Sequence, residues 1–275
     1  MAFDGDWQLA LTDIGALRLQ QARRAWEARD PGAAMVEAEE LLDEEPDNLD
    51  ALLLVADAAL ELGDAAVAQA TFQQVLEMQD DLASAWSGYA VACYELTDMQ
   101  GCLEASDHAL SLDDSLAEAH FYRGLVLDHQ GDFQGGRLSL SRATELDSTS
   151  FPTIPSLDPA EAEEALVQAR ALLAEPMRVW LARVPIVFER YPSLDQLRQD
   201  EMPLSPSSPA LYVGSPPDDG RDPFLVEPDR MVVYVGNLER IAALGADLSV
   251  ILATALRAEA LDWLGLADDQ LPLQA

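Results

Sequence analysis

The sequence contains no lysine, so arginine supplies every basic side chain of the chain apart from its histidines. Lysine and arginine together number 16 against 50 aspartates and glutamates, which gives a formal net charge of −34 at pH 7. A surface this poor in positive charge argues against nucleic-acid binding, because contact with phosphates needs clustered cations that release counterions. Anionic membranes are disfavoured for the same reason. We therefore expect a protein or peptide partner with a basic segment, and neither nucleic acid nor membrane.

Cysteine and long apolar runs are also scarce. The two cysteines, Cys93 and Cys102, lie in no CxxC or metal-ligand spacing, so we expect buried thiols and not a disulfide framework or structural zinc. No stretch approaches the roughly 18 uninterrupted apolar residues of a membrane span. The first residues are acidic where a secretory signal needs positive charge, and we expect a cytoplasmic protein.

The first half of the chain repeats with a period of 34 residues and without insertions. Blocks that begin at residues 15, 49, 83 and 117 carry small or apolar residues at equivalent positions. The eighth, twentieth and twenty-seventh positions hold, in turn, Ala22, Ala56, Ala90 and Gly124; Ala34, Ala68, Cys102 and Gly136; and Leu41, Val75, Ala109 and Ala143. Because small side chains let two helices approach closely, this pattern predicts one helical hairpin in each block.

The turn inside each hairpin is marked by an aspartate at the sixteenth position, Asp30, Asp64, Asp98 and Asp132. Gly63 and Gly131 precede two of them, where glycine can end one helix in the left-handed conformation and aspartate can cap the next. Larger side chains complete the pattern at Pro46, Phe72, Trp86 and Leu140. Together these residues closely resemble the tetratricopeptide repeat family. The resemblance implies four repeats over residues 15–150, after a lead-in at 1–14, that form an all-α solenoid.

In tetratricopeptide arrays the first helix of each pair lines a concave groove that binds protein segments. The resemblance places these residues in the groove: Arg23, Trp26, Asp57, Glu61, Val91, Tyr94, Glu95, Phe121, Leu125 and Asp128. Residues 49–116 contain 13 acidic residues and no arginine, which favours a negative groove. Our hypothesis is that it accepts an extended or helical segment with arginine or lysine and apolar anchors. The alternative is that most of these acids coat the convex face.

The second half begins after a linker at residues 151–157 that is rich in serine, threonine and proline. Asp158 and Glu161 have capping-box spacing and predict a helix over 159–182, with a break before Pro176. Strands are predicted at 184–189, with proline typical of an edge, at 210–214 and at 231–235. A final amphipathic helix is predicted over 248–266.

This order of elements, with the segments VPIVFE, SPALYVG, VVYVGNLER and a last apolar helix, resembles the small zincin-like metallopeptidase family over residues 158–271. The resemblance implies a small α+β domain at 158–275. In that family the last helix carries HExxH, in which two histidines one turn apart bind zinc and the glutamate activates water. In the same family a glycine lies three residues after the second histidine, and an acidic residue lies three residues after that glycine.

Here the motif reads AExxD. Ala258 and Asp262 replace the two histidines, Glu259 keeps the glutamate position, and Gly265 and Asp268 match the later positions. Alanine has no donor atom, and Asp262 and Asp268 alone leave too few ligands for a catalytic zinc, which ordinarily has three. We therefore expect an inactive zincin-like domain without a cofactor.

Two alternatives stay open at this point. Glu259, Asp262 and Asp268 could hold a hard cation such as Ca²⁺ or Mg²⁺. The domain could also be a metal-dependent peptidase with atypical ligands, although the three histidines, His108, His120 and His129, lie within the repeats. Without a cation, Glu259 and Asp262 are like charges one helical turn apart, so either an arginine neutralises them or one stays protonated. The candidate arginines are Arg190, Arg221, Arg230 and Arg257.

Overall fold

The computed structural model describes residues 6–197, 205–214 and 228–266. The chain divides into two compact units, Met1–Phe151 and Pro152–Ala275. No helix in the described ranges is both long and apolar enough to cross a membrane.

The first unit is a series of antiparallel helical hairpins, which confirms the predicted all-α solenoid. Its helices are α1 (Asp6–Glu27), α2 (Pro31–Glu44), α3 (Leu49–Glu61), α4 (Ala65–Met78), α5 (Ala83–Glu95), α6 (Met99–Leu112), α7 (Ala117–His129) and α8 (Phe133–Leu146). The small side chains that define the 34-residue period are buried where the helices meet. Gly88 illustrates how close the approach is, because a Cβ atom added there would overlap the Phe72 ring of the preceding hairpin. The sequence period therefore reports helix contacts.

The turn between the two helices of each hairpin has the same backbone conformation in all four blocks. The residue before the aspartate has a positive φ, 81° at Gly63 and 88° at Gly131, and also 61° at Arg29 and 64° at Thr97. Each aspartate side chain then accepts a hydrogen bond from the backbone N–H three residues later, at 2.9–3.2 Å. The predicted caps are thus confirmed, and two turns reach the left-handed conformation without glycine.

The second unit contains α9 (Pro159–Leu172), α10 (Met177–Leu181), β1 (Ile186–Glu189), α11 (Leu194–Leu197), β2 (Ala210–Val213), β3 (Arg230–Tyr234), α12 (Val235–Ala243) and α13 (Leu248–Leu264). Asp158 and Glu161 form the predicted capping box at the start of α9. A cis peptide bond joins Glu175 to Pro176 in the break between α9 and α10.

The three described strands form one sheet of order β1-β3-β2. β1 is parallel to β3, with Ile186 opposite Met231, and β2 is antiparallel to β3, with Tyr212 opposite Met231. β1 therefore lies at an edge, as its proline predicts. One core joins α9, α10, the sheet and α13, and its aromatic members Trp180, Tyr212 and Trp263 have ring centroids 5.5–6.2 Å apart.

The segment after β3 differs from the prediction. The strand predicted at 231–235 is present as β3, but it ends at Tyr234, and α12, which was not predicted, begins at Val235. The backbone N–H of Gly236 donates to the Arg190 carbonyl at 3.0 Å. The buried Asn237 side chain donates to the carbonyls of Pro206 (2.8 Å) and Ser208 (2.7 Å). These long-range bonds stabilise a helix that the local sequence did not predict.

Candidate functional site

The concave side of the helical array follows from the stacking of its first helices, α1, α3, α5 and α7. The structure places the ten predicted groove residues at three levels of exposure. Exposed positions hold Arg23 and Glu61; half-buried positions hold Trp26, Asp57, Glu95 and Phe121; buried positions hold Val91, Tyr94, Leu125 and Asp128. The buried four support the wall of the groove, so the other six offer most of the surface to a partner.

At the middle of the array, the first helices α3 and α7 each contribute one acidic side chain, and α5 between them contributes a serine. Ser87 on α5 is buried, and its hydroxyl donates to Glu118 Oε2 on α7 at 2.8 Å. Asp57 on α3 lies near enough to Glu118 for the two carboxylates to repel each other. We call Asp57 and Glu118 the central acid pair.

Both members of the central acid pair are held in an environment that disfavours negative charge. Burial raises the pKa of Asp57 to about 6, and repulsion by Glu118 and then Glu61 adds to the effect. Glu118 is an exposed residue, but the hydrogen bond from Ser87 holds its carboxylate against α5. The resulting loss of hydration raises the pKa of Glu118, although the hydrogen bond from Ser87 opposes the shift.

No arginine or histidine in the described ranges forms an ion pair with Asp57 or Glu118. The first repeat differs, because Arg23 on α1 lies 2.9 Å from Asp50 on α3. Negative charge is thus balanced at the start of the array and left unbalanced in its middle.

The far end of the array is aromatic. Phe121 packs against Tyr122, with centroids 5.5 Å apart, and against Phe151, with centroids 4.8 Å apart. Tyr122 also contacts Tyr94 edge to face at 5.4 Å. Phe151 follows α8 at the point where a fifth 34-residue block would begin. The groove therefore combines a negative centre with an apolar end.

At the other end, a cavity of about 420 Å³ opens between the carboxyl ends of α1 and α3. Its lining residues are Trp26, Glu27, Arg29, Pro31 and Glu61. Trp26 and Glu61 are both among the residues predicted to face the groove.

In the second unit, the AExxD motif lies on α13. Ala258 and Asp262 are exposed, and Glu259 is half-buried. The Glu259 carboxylate accepts a hydrogen bond from the backbone N–H of Tyr212 on β2. Burial and repulsion by Asp262 nevertheless raise the pKa of Glu259 to about 7.

These residues do not fit the zinc of the zincin-like family. Ala258 offers no donor atom, so at most one of the two histidine positions, Asp262, could supply a ligand. Within the described ranges, no three histidine, cysteine, aspartate or glutamate side chains lie close enough to hold a metal ion. The predicted site residue Asp268 lies outside the described residues.

Four arginines were predicted as candidates to neutralise Glu259 and Asp262. Arg190 lies 3.1 Å from Glu239, a buried acid on α12, and Arg221 lies outside the described residues. No ion pair joins a described arginine to Glu259 or Asp262. The raised pKa of Glu259 therefore favours protonation of one of the two acids over neutralisation by an arginine.

Sequence reasoning missed two residues of the groove, Ser87 and Glu118. They occupy the fifth and second positions of consecutive blocks; the fifth position was assigned to the groove, but Ser87 was not among the residues named for it, and the second position was not assigned. The only sequence signal is that the second position of a block faces the concave side, where it can meet the first helix of the block before it. Arg23 and Asp50 show this pairing directly.

Comparison with known proteins gives two family matches. The model of the tetratricopeptide repeat matches residues 25–99. The model of the zincin-like metallopeptidases matches residues 181–274. No curated protein matches the chain.

Solved structures similar to the chain cover about half of it. A MamA protein is 17% identical over 50% of this chain and 75% of its own, with a TM-score of 0.45. TTC0263, a thermophilic TPR protein of Thermus thermophilus, is 20% identical over 57% of this chain and 89% of its own, with a TM-score of 0.47. YrrB, a TPR protein with an unusual peptide-binding site, is 13% identical over 46% of this chain and 65% of its own, with a TM-score of 0.42. On the two family matches, the chain contains a tetratricopeptide repeat region followed by a domain of the zincin-like metallopeptidase family.

Proposed function

We propose that the concave groove of the repeats binds a protein segment with an arginine or lysine and apolar anchors, and that the zincin-like domain is a non-catalytic companion. The tetratricopeptide region is a protein-interaction module, and the proposal specifies the chemistry of its partner. The observation that carries it is the central acid pair, with two carboxylates on separate helices and no described cation beside them.

Repulsion between the two carboxylates and partial burial of Asp57 are both unfavourable in the free protein. A cationic side chain placed between Asp57 and Glu118 would turn that repulsion into attraction. Ser87 fixes one carboxylate in advance, so little side-chain freedom would be lost on binding. Apolar anchors would meet the aromatic end of the groove near Phe121.

The test uses a short fluorescent peptide that alternates arginine with leucine and alanine, and a matched peptide with neutral citrulline in place of arginine. Fluorescence anisotropy with the full chain should give tighter binding of the arginine peptide. The double variant Asp57→Asn, Glu118→Gln should lose about 1–3 kcal/mol of binding free energy, as expected for charge-assisted hydrogen bonds. Glu77→Gln, an exposed change on α4, is the control for general loss of charge. Equal binding of both peptides, or equal loss in the control, would refute the proposal.

The same proposal holds that the second unit does not use zinc for peptide hydrolysis. Support comes from Ala258, which places no donor atom at one of the two histidine positions. We expect protein purified without chelators to contain no stoichiometric zinc. The double variant Ala258→His, Asp262→His places two imidazoles one turn apart and should gain zinc affinity.

The competing function is a metal-dependent peptidase with atypical ligands. Elemental analysis for zinc distinguishes this function from the non-catalytic role. Stoichiometric zinc in the natural chain, lost in both Glu259→Ala and Asp262→Ala, would contradict the non-catalytic role.

A further inference from the structure

The cavity between the carboxyl ends of α1 and α3 has features that the central acid pair does not share. Trp26 lies in the last turn of α1 and is half-buried in the cavity wall. No described residue forms a hydrogen bond or ring contact with its indole. An aromatic face that is partly shielded from water and has no partner is an attractive platform for a cation.

The charges around the indole also favour a cation. The exposed carboxylates of Glu27 and Glu61 line the cavity, and each is the last residue of its helix. The carboxyl end of a helix carries a partial negative charge, so α1 and α3 both direct negative potential to this point. Glu61 lies one helical turn beyond Asp57, about 6 Å along α3 by helix geometry. Glu61 therefore connects the cavity wall to the helix that carries Asp57.

Arg29 at the rim of the cavity has an unusual backbone. Its φ is 61°, at a position where two other repeats have glycine, and the left-handed conformation is costly for a side chain with a Cβ atom. Arg29 forms no ion pair with a residue in the described ranges, although Glu27 and Glu61 line the same cavity. The positive charge of Arg29 opposes entry of another cation into the cavity.

We infer that this cavity is a subsite for one basic side chain of the bound segment, whose cationic group stacks on Trp26 and meets Glu61. The inference rests on the proposed function, because it assigns a second anchor within the same groove. It adds a specific requirement, since the occupant needs both a positive charge and a flat or extended stem that can lie against an indole.

The experiment uses the full chain and a small probe, N-acetyl-arginine amide, with N-acetyl-citrulline amide as its neutral match. The chain has five tryptophans, so a ¹H–¹⁵N spectrum of the full chain is expected to show five indole signals. Trp26→Phe removes one signal and thereby identifies it. The Trp26 signal should shift saturably with the arginine probe and much less with the citrulline probe. A Trp26 signal that stays in place, or moves equally with both probes, would overturn the inference.

Two variants of exposed residues give opposite expected signs. Glu61→Gln should weaken binding of the arginine probe about two- to five-fold, the range for one partly exposed charge. Arg29→Gly removes the competing charge and suits the positive φ, so it should strengthen binding about two- to five-fold. Glu77→Gln on α4 should change nothing. Weaker binding in Arg29→Gly would contradict the inference.

Failure here is distinguishable from failure of the groove proposal. If Asp57→Asn, Glu118→Gln weakens the long arginine peptide but Glu61→Gln and Arg29→Gly change neither ligand, the subsite is refuted and the groove proposal stands. If none of these changes alters the binding of the long arginine peptide, the groove proposal itself fails.

Discussion

The central acid pair makes the stability of the array depend on pH in an unusual direction. The pKa of Asp57 rises from 3.8 in a model peptide to about 6 in the folded protein. The folded protein therefore holds the proton more tightly than the unfolded chain between these two values. By linkage, the free energy of unfolding falls as pH rises from about 4 to 6 and stays low above that window.

The size of the effect follows from the shift. Each pKa unit is worth about 1.4 kcal/mol, so a shift of about two units gives about 3 kcal/mol as an upper value. Asp57 is half-buried, and solvent screening reduces this to about 1–2 kcal/mol. Asp57→Asn removes the charge at nearly constant shape. It should therefore raise stability above pH 7 by about that amount, and by much less near pH 4.

Thermal unfolding followed by circular dichroism measures this, because most described helices belong to the array. For a unit of about 150 residues, 1 kcal/mol shifts Tm by about 2–4 °C. Glu77→Gln removes one exposed charge from the same repeat and controls for the relief of net charge. A Tm gain that is equal in the two variants, or independent of pH in Asp57→Asn, would refute the reasoning.

Three further substitutions test the packing that positions the groove and the second unit. Thr97→Gly should raise the free energy of unfolding by up to about 1 kcal/mol, because Thr97 is β-branched and has a φ of 64°; a lower Tm in thermal unfolding would contradict this. Gly88→Ala should destabilise the array by about 1–3 kcal/mol, since the added methyl overlaps the Phe72 ring, and chemical denaturation measures the loss. Glu239→Ala should lower the free energy of unfolding by about 3 kcal/mol, because it removes the buried acceptor of the Arg190 side chain and of the Leu157 N–H. Hydrogen exchange around Leu157 should become faster. The increase should be smaller in Glu239→Gln, which retains an acceptor.

The repeat architecture was predictable because it depends on local rules repeated at a fixed spacing. A buried small residue such as Ala56 and a capping aspartate such as Asp64 each have one structural reason, and the period shows both four times. The left-handed turns at Arg29 and Thr97 could not be predicted from residue type, since tertiary packing imposes a conformation that these residues disfavour.

The second unit was harder to predict because its decisive contacts are long-range. No helix was predicted directly after the strand at 231–235, but Asn237 donates to the carbonyls of a distant loop and the chain turns into α12. Arg190 was a candidate partner for Glu259, and the structure pairs it with Glu239 on α12, an acid that no pattern distinguished. Similarly, the contact between Ser87 and Glu118 joins two neighbouring repeats and depends on helix packing that composition alone does not reveal.

The most direct test of the central claim is to map where a basic segment contacts the chain. In a ¹H–¹⁵N spectrum of the full chain titrated with the arginine peptide, we predict that the shifted backbone amides cluster in α3, α5 and α7 around Asp57, Ser87 and Glu118. The same titration of Asp57→Asn, Glu118→Gln should lose most of these shifts. Shifts confined to the second helices of the hairpins, or to residues 152–266, would contradict the account.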